Sequence, residues 1–281
     1  MKIETGAEQL LFSTLRIETL SSVGTGFIVQ HPLKDGQGLF LITNKHVIES
    51  TKEGRLTLTR LRMEGESAVP DLGQSEPVQL TGDGWKWTGH PSVDVDITAM
   101  PLVPLLEALG KMGKKVFVKS VPTNIIPDQK ALEELDAVEE ILFIGYPNNV
   151  YDRVNNLPIC RKGITATHSC VDYENKPIFL VDASVFPGSS GSPVFIYNVG
   201  GWTGRHGMTV SSRILFLGVL SAVLYRQGDG SLEFRDIPTA IKPVVHTQEM
   251  IDLGIVFKAR TVVETIEHLL RQYGVSPASL P

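Results

Sequence analysis

Two adjacent serines, Ser189 and Ser190, lie in the stretch VFPGSSGSPVF (residues 185–195), between glycines and a proline and with β-forming residues on either side. Such a stretch predicts a tight turn feeding a buried strand. A serine hydroxyl is a poor nucleophile at neutral pH. To attack a carbonyl it needs a base within hydrogen-bond reach, a carboxylate to orient that base, and backbone N–H donors for the oxyanion. A serine preceded by Gly-x and followed by Gly can supply the donors, because glycine lets the backbone turn two N–H groups toward one point. Glycine-serine turns without chemistry are common, so the motif by itself leaves turn formation and nucleophilic catalysis both open.

The chain upstream holds the other two residue types. LFLITNKHVIES places His46 directly after an apolar strand whose end is marked by Thr43 and Asn44, and HPSVDVDITAMPL places Asp96 at the start of another. Taken singly, a histidine after a strand is an ordinary surface or capping residue, and an aspartate opening a strand is blander still. Together, His46, Asp96 and Ser190 stand at strand edges separated by 50 and 94 residues, an order hard to obtain by accident. Asp94 is the rival carboxylate, because strand alternation puts it on the same face as Asp96.

The elements that must position these residues are mostly short strands. Apolar, β-branched segments bounded by Gly, Pro or Asn occur at 24–30, 38–44, 55–63, 93–100, 115–121, 139–147, 163–168, 177–184, 192–197 and 213–225. That pattern predicts antiparallel barrels or sandwiches rather than a βαβ sheet. Helical periodicity is confined to 101–113, 128–136 and the C-terminal 259–274, where Val262, Ile266, Leu269, Leu270 and Tyr273 form one stripe before Gly274.

Composition narrows the partners. A chain of 281 residues with 42% hydrophobic and 20% charged residues is ordinary globular material, large enough for two small lobes. A net charge of −5 and the lack of a Lys/Arg run with interleaved aromatics argue against nucleic acid. No stretch reaches the roughly 18 apolar residues of a membrane span, and no secretory leader is evident. Two cysteines, Cys160 and Cys170, are too few for a disulfide-built domain, so the expected setting is reducing and cytoplasmic.

The ordered motifs carry a family resemblance. GTGFIV and LITNKHVI around the histidine, DITAMPL at the aspartate, ILFIGYP leading into GITAT, then VDASVFPGSSGSPVF and FLGVLSAV, resemble a trypsin-like serine peptidase of the chymotrypsin fold, most similar to HtrA/Deg-like bacterial domains. The likeness spans about residues 24–223, with FRDIPTAI (234–241) a weaker echo. It implies an all-β fold of two six-stranded antiparallel barrels with a C-terminal helix. On that fold 1–110 would be the barrel carrying His46 and Asp96, 111–137 a linker with a short helix, 138–258 the barrel carrying Ser190, and 259–281 the closing helix and tail. After Ile241 only 40 residues remain, too few for an added PDZ domain.

Carried over residue by residue, the resemblance makes Ser190 the nucleophile, His46 the general base and then acid, and Asp96 the orienting carboxylate. The N–H groups of Gly188 and Ser190 would form the oxyanion hole. Ser184 would lie at the base of the S1 pocket, uncharged, so a tryptic preference is not expected; Ser221 and Val223 would line its wall, with Val223 shortening it toward small or medium apolar side chains. Ser189 replaces the aspartate that captures a new N-terminus in pancreatic relatives, which argues against zymogen activation by that route. Control by ordering of the 148–158 or 198–208 loops, with an activating protein partner, is the expected alternative. An inverted peptide in the 186–188 segment would mark a latent state.

Other clusters carry less. Cys160, His168 and Cys170 lack a fourth ligand and zinc-type spacing, so they are expected to be structural. Trp85 and Trp87 alternate on a predicted strand face, where cross-strand packing is the common use. No phosphate-binding glycine motif follows a strand into a helix, so no cofactor is expected. The competing reading from another class is a catalytically silent peptide-binding module on the same fold.

Overall fold

In a computed structural model of the chain, residues 1–20, 22–49, 51–205, 207–231 and 244–276 are described, with 222–231 and 244–251 as backbone alone. The segment FRDIPTAI and the side chain of Val223 therefore lie outside the described residues.

Apolar runs decide the centre of the N-terminal half. In β2 (Val23–Leu33) and β3 (Gly36–Thr43), Phe27, Ile28 and Val29 oppose Ile42, Leu41 and Phe40 in an antiparallel ladder and are buried on both faces. On one side β1 (Thr14–Glu18) pairs β2, and the hairpin of β4 (Glu53–Glu64) and β5 (Ser67–Thr81) continues beyond it. On the other, β7 (Thr98–Pro101) pairs β3 and β6 (Thr88–Gly89) pairs β7, while β8 (Val121–Pro122) lies parallel to β2.

These eight strands form one sheet. Where a six-stranded closed ladder was expected, the hydrogen-bond path among the described residues runs from β5 to β6 without closing. The edges explain this: β6 has two residues, and β5 carries Pro70 and Pro77, which cannot donate to a ladder.

The C-terminal half is a closed six-stranded barrel in the order β10 (Ile159–Thr165), β11 (Ile178–Asp182), β16 (Val244–Lys258), β15 (Arg213–Ser231), β12 (Pro193–Asn198), β9 (Glu140–Gly145). Phe143, Phe179, Val181, Val194, Ile196 and Val256 fill one apolar cluster of it. A hairpin of β13 (Trp202–Gly204) and β14 (Gly207–Thr209) stands apart from the barrel. A further cluster joins the halves: Phe27 meets Phe216 edge-on with ring centres 5.4 Å apart, and Phe216 meets Phe195 at the same distance.

The helices are α1 (Gly6–Ser13), α2 (Lys45–Ile48), α3 (Val103–Lys111), α4 (Gln129–Glu133) and α5 (Arg260–Gln272). The last three fall where periodicity placed them. α5 buries Val262, Ile266, Leu269 and Leu270, with Tyr273 half exposed beyond its end. Gly274 adopts φ +66°, and Val275 N–H donates to Leu270 O while Gly274 N–H donates to Arg271 O, the double bond of a Schellman cap. α1 was not anticipated, although Thr5 and Glu8 form a reciprocal capping box.

Some strands differ from expectation. Residues 93–97 are irregular, and of 115–121 only Val121 joins a strand, although Val116 forms an isolated bridge to Arg60 and Phe117 N–H donates to Thr59 O at 2.8 Å. Trp85 ends a 3₁₀ turn rather than a strand, and its ring packs edge-on against Trp87 at 5.3 Å in the N-terminal core. Among the described residues no helix is long and apolar enough to cross a membrane.

Candidate active site

β3 ends at Thr43, and Asn44 begins α2, a single turn anchored by buried Val47. The turn leaves the His46 side chain 48% exposed. Beside it, Lys45 Nζ donates to the carbonyl oxygens of His90 and Ser92 at 3.1 and 2.9 Å, tying the histidine turn to the segment that carries Asp96. His46 Nδ1 then lies 2.6 Å from Asp96 Oδ2, and His46 N–H donates to Oδ1 at 3.1 Å. A carboxylate only accepts, so Nδ1 carries the proton and Nε2 presents its lone pair.

Asn44 Nδ2 donates to the Asp96 carbonyl oxygen at 2.7 Å, fixing the backbone there as well. Burial by itself would raise the Asp96 carboxyl, but hydrogen bonds from His46 and Ser221 and the nearby imidazole more than offset it and hold the group below its ordinary value. Asp94 is exposed and makes no such bond; since 93–97 is not a strand, the same-face relation with Asp96 does not arise.

The serine turn is fixed by its glycines. Ser189 N–H donates to Phe186 O at 3.0 Å, closing a four-residue turn with Pro187 second and Gly188 third at φ +86°. That is a type II turn, the form that demands positive φ at its third residue. A Cβ on Gly188 would stand 2.6 Å from Tyr146 O, and one on Gly191, at φ +87°, would overlap the Thr25 carbonyl oxygen. Pro187 O accepts from Asn148 N–H at 2.6 Å, so the Gly188 N–H is directed away from that loop. Among the described residues neither Gly188 N–H nor Ser190 N–H has a protein acceptor. Ser189 is buried, and its hydroxyl has no hydrogen-bond partner among the described residues.

Ser190 Oγ donates to Ser221 O at 2.9 Å, and no hydrogen bond joins it to His46 among the described residues. Ser221 Oγ in turn donates to Asp96 Oδ2 at 2.6 Å. Expected on a pocket wall, Ser221 thus gives its polar atoms to the His46–Asp96–Ser190 group. Ser184 is exposed beside buried Val185, and Val223 faces Gly254 across the β15–β16 ladder. Motif spacing had not marked Thr25, Asn44 or the hydroxyl of Ser221. The GTGF stretch was visible, but the partners of Thr25 in the C-terminal half lie 121 to 165 residues downstream.

Away from the cleft, Cys160 and Cys170 are free thiols, Cys160 exposed and Cys170 half-buried. His168 Nδ1 accepts from Cys170 N–H at 3.3 Å, a local turn contact.

Residues 24–201 match the family model described as the trypsin-like peptidase domain. The chain belongs to the trypsin-like peptidase family. Among solved structures it is similar to the inactive form of the Ser343Ala mutant of Rv3671c from M. tuberculosis H37Rv, at 18% identity over 98% of this chain and 91% of that one, with a TM-score of 0.43. The Rv3671c protease, inactive form, aligns at 17% identity over 92% and 89%, with a TM-score of 0.42. No curated protein matches. Family membership makes this chain a trypsin-like peptidase of the serine type.

Proposed function

We propose that this peptidase is a serine endopeptidase working through an acyl-enzyme, with Ser190 as nucleophile, His46 as general base and then acid, and Asp96 as the carboxylate that orients the imidazole. The observation that carries this reading is the paired contact of Asp96 with His46, Nδ1 at 2.6 Å and backbone N–H at 3.1 Å, which leaves Nε2 free as the base. In the reaction Ser190 Oγ swings from Ser221 O toward His46 Nε2, gives up its proton and attacks the scissile carbonyl. The tetrahedral oxyanion is held by the N–H groups of Gly188 and Ser190, each worth on the order of 3 kcal/mol in comparable sites. His46 returns the proton to the leaving amine, and water repeats the sequence on the ester.

The P1 side chain is proposed to be small or medium and apolar, because neither Ser184 nor Val223 offers a carboxylate to a lysine or arginine. The substrate is a protein or peptide. Regulation is assigned to loop ordering by a protein partner. What supports this is that the 146–149 turn, through Asn148, holds the peptide that aims Gly188 N–H. Free cysteines fit a reducing, cytoplasmic setting.

A second reading, a silent peptide-binding module, is favoured by one observation: the Ser190 hydroxyl rests on Ser221 O rather than on His46. Fluorophosphonate labelling read by intact mass separates the two. Stoichiometric label on the wild type that is lost in Ser190→Ala and His46→Ala is expected. A folded wild-type protein that takes no label contradicts a site competent by itself and leaves a latent peptidase or a silent module.

A further inference from the structure

The type II turn at 186–189 poses a problem that its own hydrogen bond does not solve. A bond from Ser189 N–H to Phe186 O is compatible with either orientation of the Pro187–Gly188 peptide, since type I and type II turns differ by a flip of that central unit and share the outer bond. Glycine at the third position tolerates both. Something outside the turn must therefore choose the orientation that turns Gly188 N–H into the cleft.

We infer that Thr25, on the N-terminal half, is the positioning residue that makes this choice by clamping two loops of the C-terminal half together; the inference rests on the oxyanion role proposed above. Thr25 is wholly buried, and every polar atom it has is engaged. Its N–H donates to Ser190 O at 2.9 Å, and its carbonyl oxygen accepts from Thr43 Oγ1 at 2.7 Å. Its hydroxyl donates to Gly188 O at 2.9 Å while accepting from Tyr146 N–H at 3.0 Å. One oxygen thus links the serine turn to the start of the 146–149 turn.

Two residues after Tyr146, Asn148 sits in the left-handed region at φ 47°, and its N–H donates to Pro187 O at 2.6 Å. A ring of contacts results: Thr25 to Tyr146, along the chain to Asn148, across to Pro187 and Gly188, and back to Thr25. With Pro187 O held by Asn148, the N–H on the far side of the same planar peptide points into the cleft. Thr25 does not touch substrate; it acts through Tyr146, Asn148 and Gly188.

Thr25→Val removes the hydroxyl at nearly constant volume, and Thr25→Ser keeps it. The maximal rate of fluorophosphonate labelling is expected to fall about 10²-fold in Thr25→Val, the loss seen when one oxyanion donor is removed. The probe concentration giving half that rate is expected to move less than about three-fold, and Thr25→Ser to recover most of the rate. Amide exchange supplies a readout independent of turnover: the Asn148 N–H, which Thr25 does not contact, exchanges faster in Thr25→Val and stays protected in Thr25→Ser. An unchanged labelling rate and unchanged Asn148 protection in Thr25→Val overturn the inference. If Thr25→Val does not fold, Thr25→Ser decides, since labelling lost with the hydroxyl retained also overturns it. A wild type that takes no label defeats a site competent by itself, while the exchange comparison still decides the clamp.

Discussion

The carbonyl oxygen of Ser221 holds the Ser190 hydroxyl at 2.9 Å, and the hydroxyl of the same Ser221 holds Asp96 at 2.6 Å. One residue on β15 therefore spans the group from the serine to the carboxylate, with its backbone serving one end and its side chain the other. The two roles separate on mutation. Ser221→Ala removes the donor to Asp96 but leaves the carbonyl. A hydrogen bond to a charged acceptor contributes about 1.5–3 kcal/mol, so kcat/KM for a peptide substrate is expected to fall about 10- to 100-fold, with little change in KM. Steady-state kinetics check this; an unchanged kcat/KM means that His46 alone suffices to hold Asp96.

Asp96→Asn tests the tautomer. An amide at this position can donate to His46 Nδ1, which moves the imidazole proton to Nε2 and blocks proton uptake from Ser190. The expected loss in kcat at neutral pH is on the order of 10⁴-fold with the fold intact. Circular dichroism alongside kinetics separates this from misfolding.

The same carboxylate gives a pH dependence of stability. Its folded pKa is depressed below the ordinary 3.8, so its ionisation contributes stability that is fully present above that value and is lost as the pH falls through the lower, folded value. Urea midpoints measured at pH 6, 4 and 3 are expected to drop more steeply for the wild type than for Asp96→Asn below about pH 4. Parallel curves would show that Asp96 carries no such linkage.

Two glycines with nearly equal φ are expected to behave differently. Gly191 at +87° packs where a Cβ would overlap Thr25 O, whereas Gly200 at +81° has nothing within 4 Å of that position. Gly200→Ala meets only backbone strain, about 1 kcal/mol. Gly191→Ala adds a steric conflict with unyielding backbone and is expected to cost more than about 3 kcal/mol or to prevent folding. Denaturant unfolding of the pair measures the difference.

Much of the site is legible in local sequence because local chemistry makes it. Proline followed by glycine makes a tight turn at 186–189 whose central peptide can face either way, and an apolar run ending in Thr43 and Asn44 puts His46 on a one-turn helix at a strand end. The amphipathic stripe ending at Gly274 likewise specifies α5 and its cap. Strands β1 and β5 were not anticipated, since β5 is largely polar with two prolines; pairing partners distant in sequence, not local propensity, hold them extended.

Residue types and their order thus determined which atoms are available to this peptidase: a hydroxyl, an imidazole, a carboxylate and a glycine turn able to expose two N–H groups. Only the tertiary structure decided how they are held. That Asp96 rather than Asp94 meets His46, that Ser221 joins Ser190 to Asp96, and that Thr25 bridges Tyr146 and Gly188 are facts about contacts spanning 31 to 163 residues of chain. Local propensities cannot encode such pairings. They arise when burial of Phe27, Phe195 and Phe216 between the two halves brings polar groups to one place, where most buried donors and acceptors pair with one another.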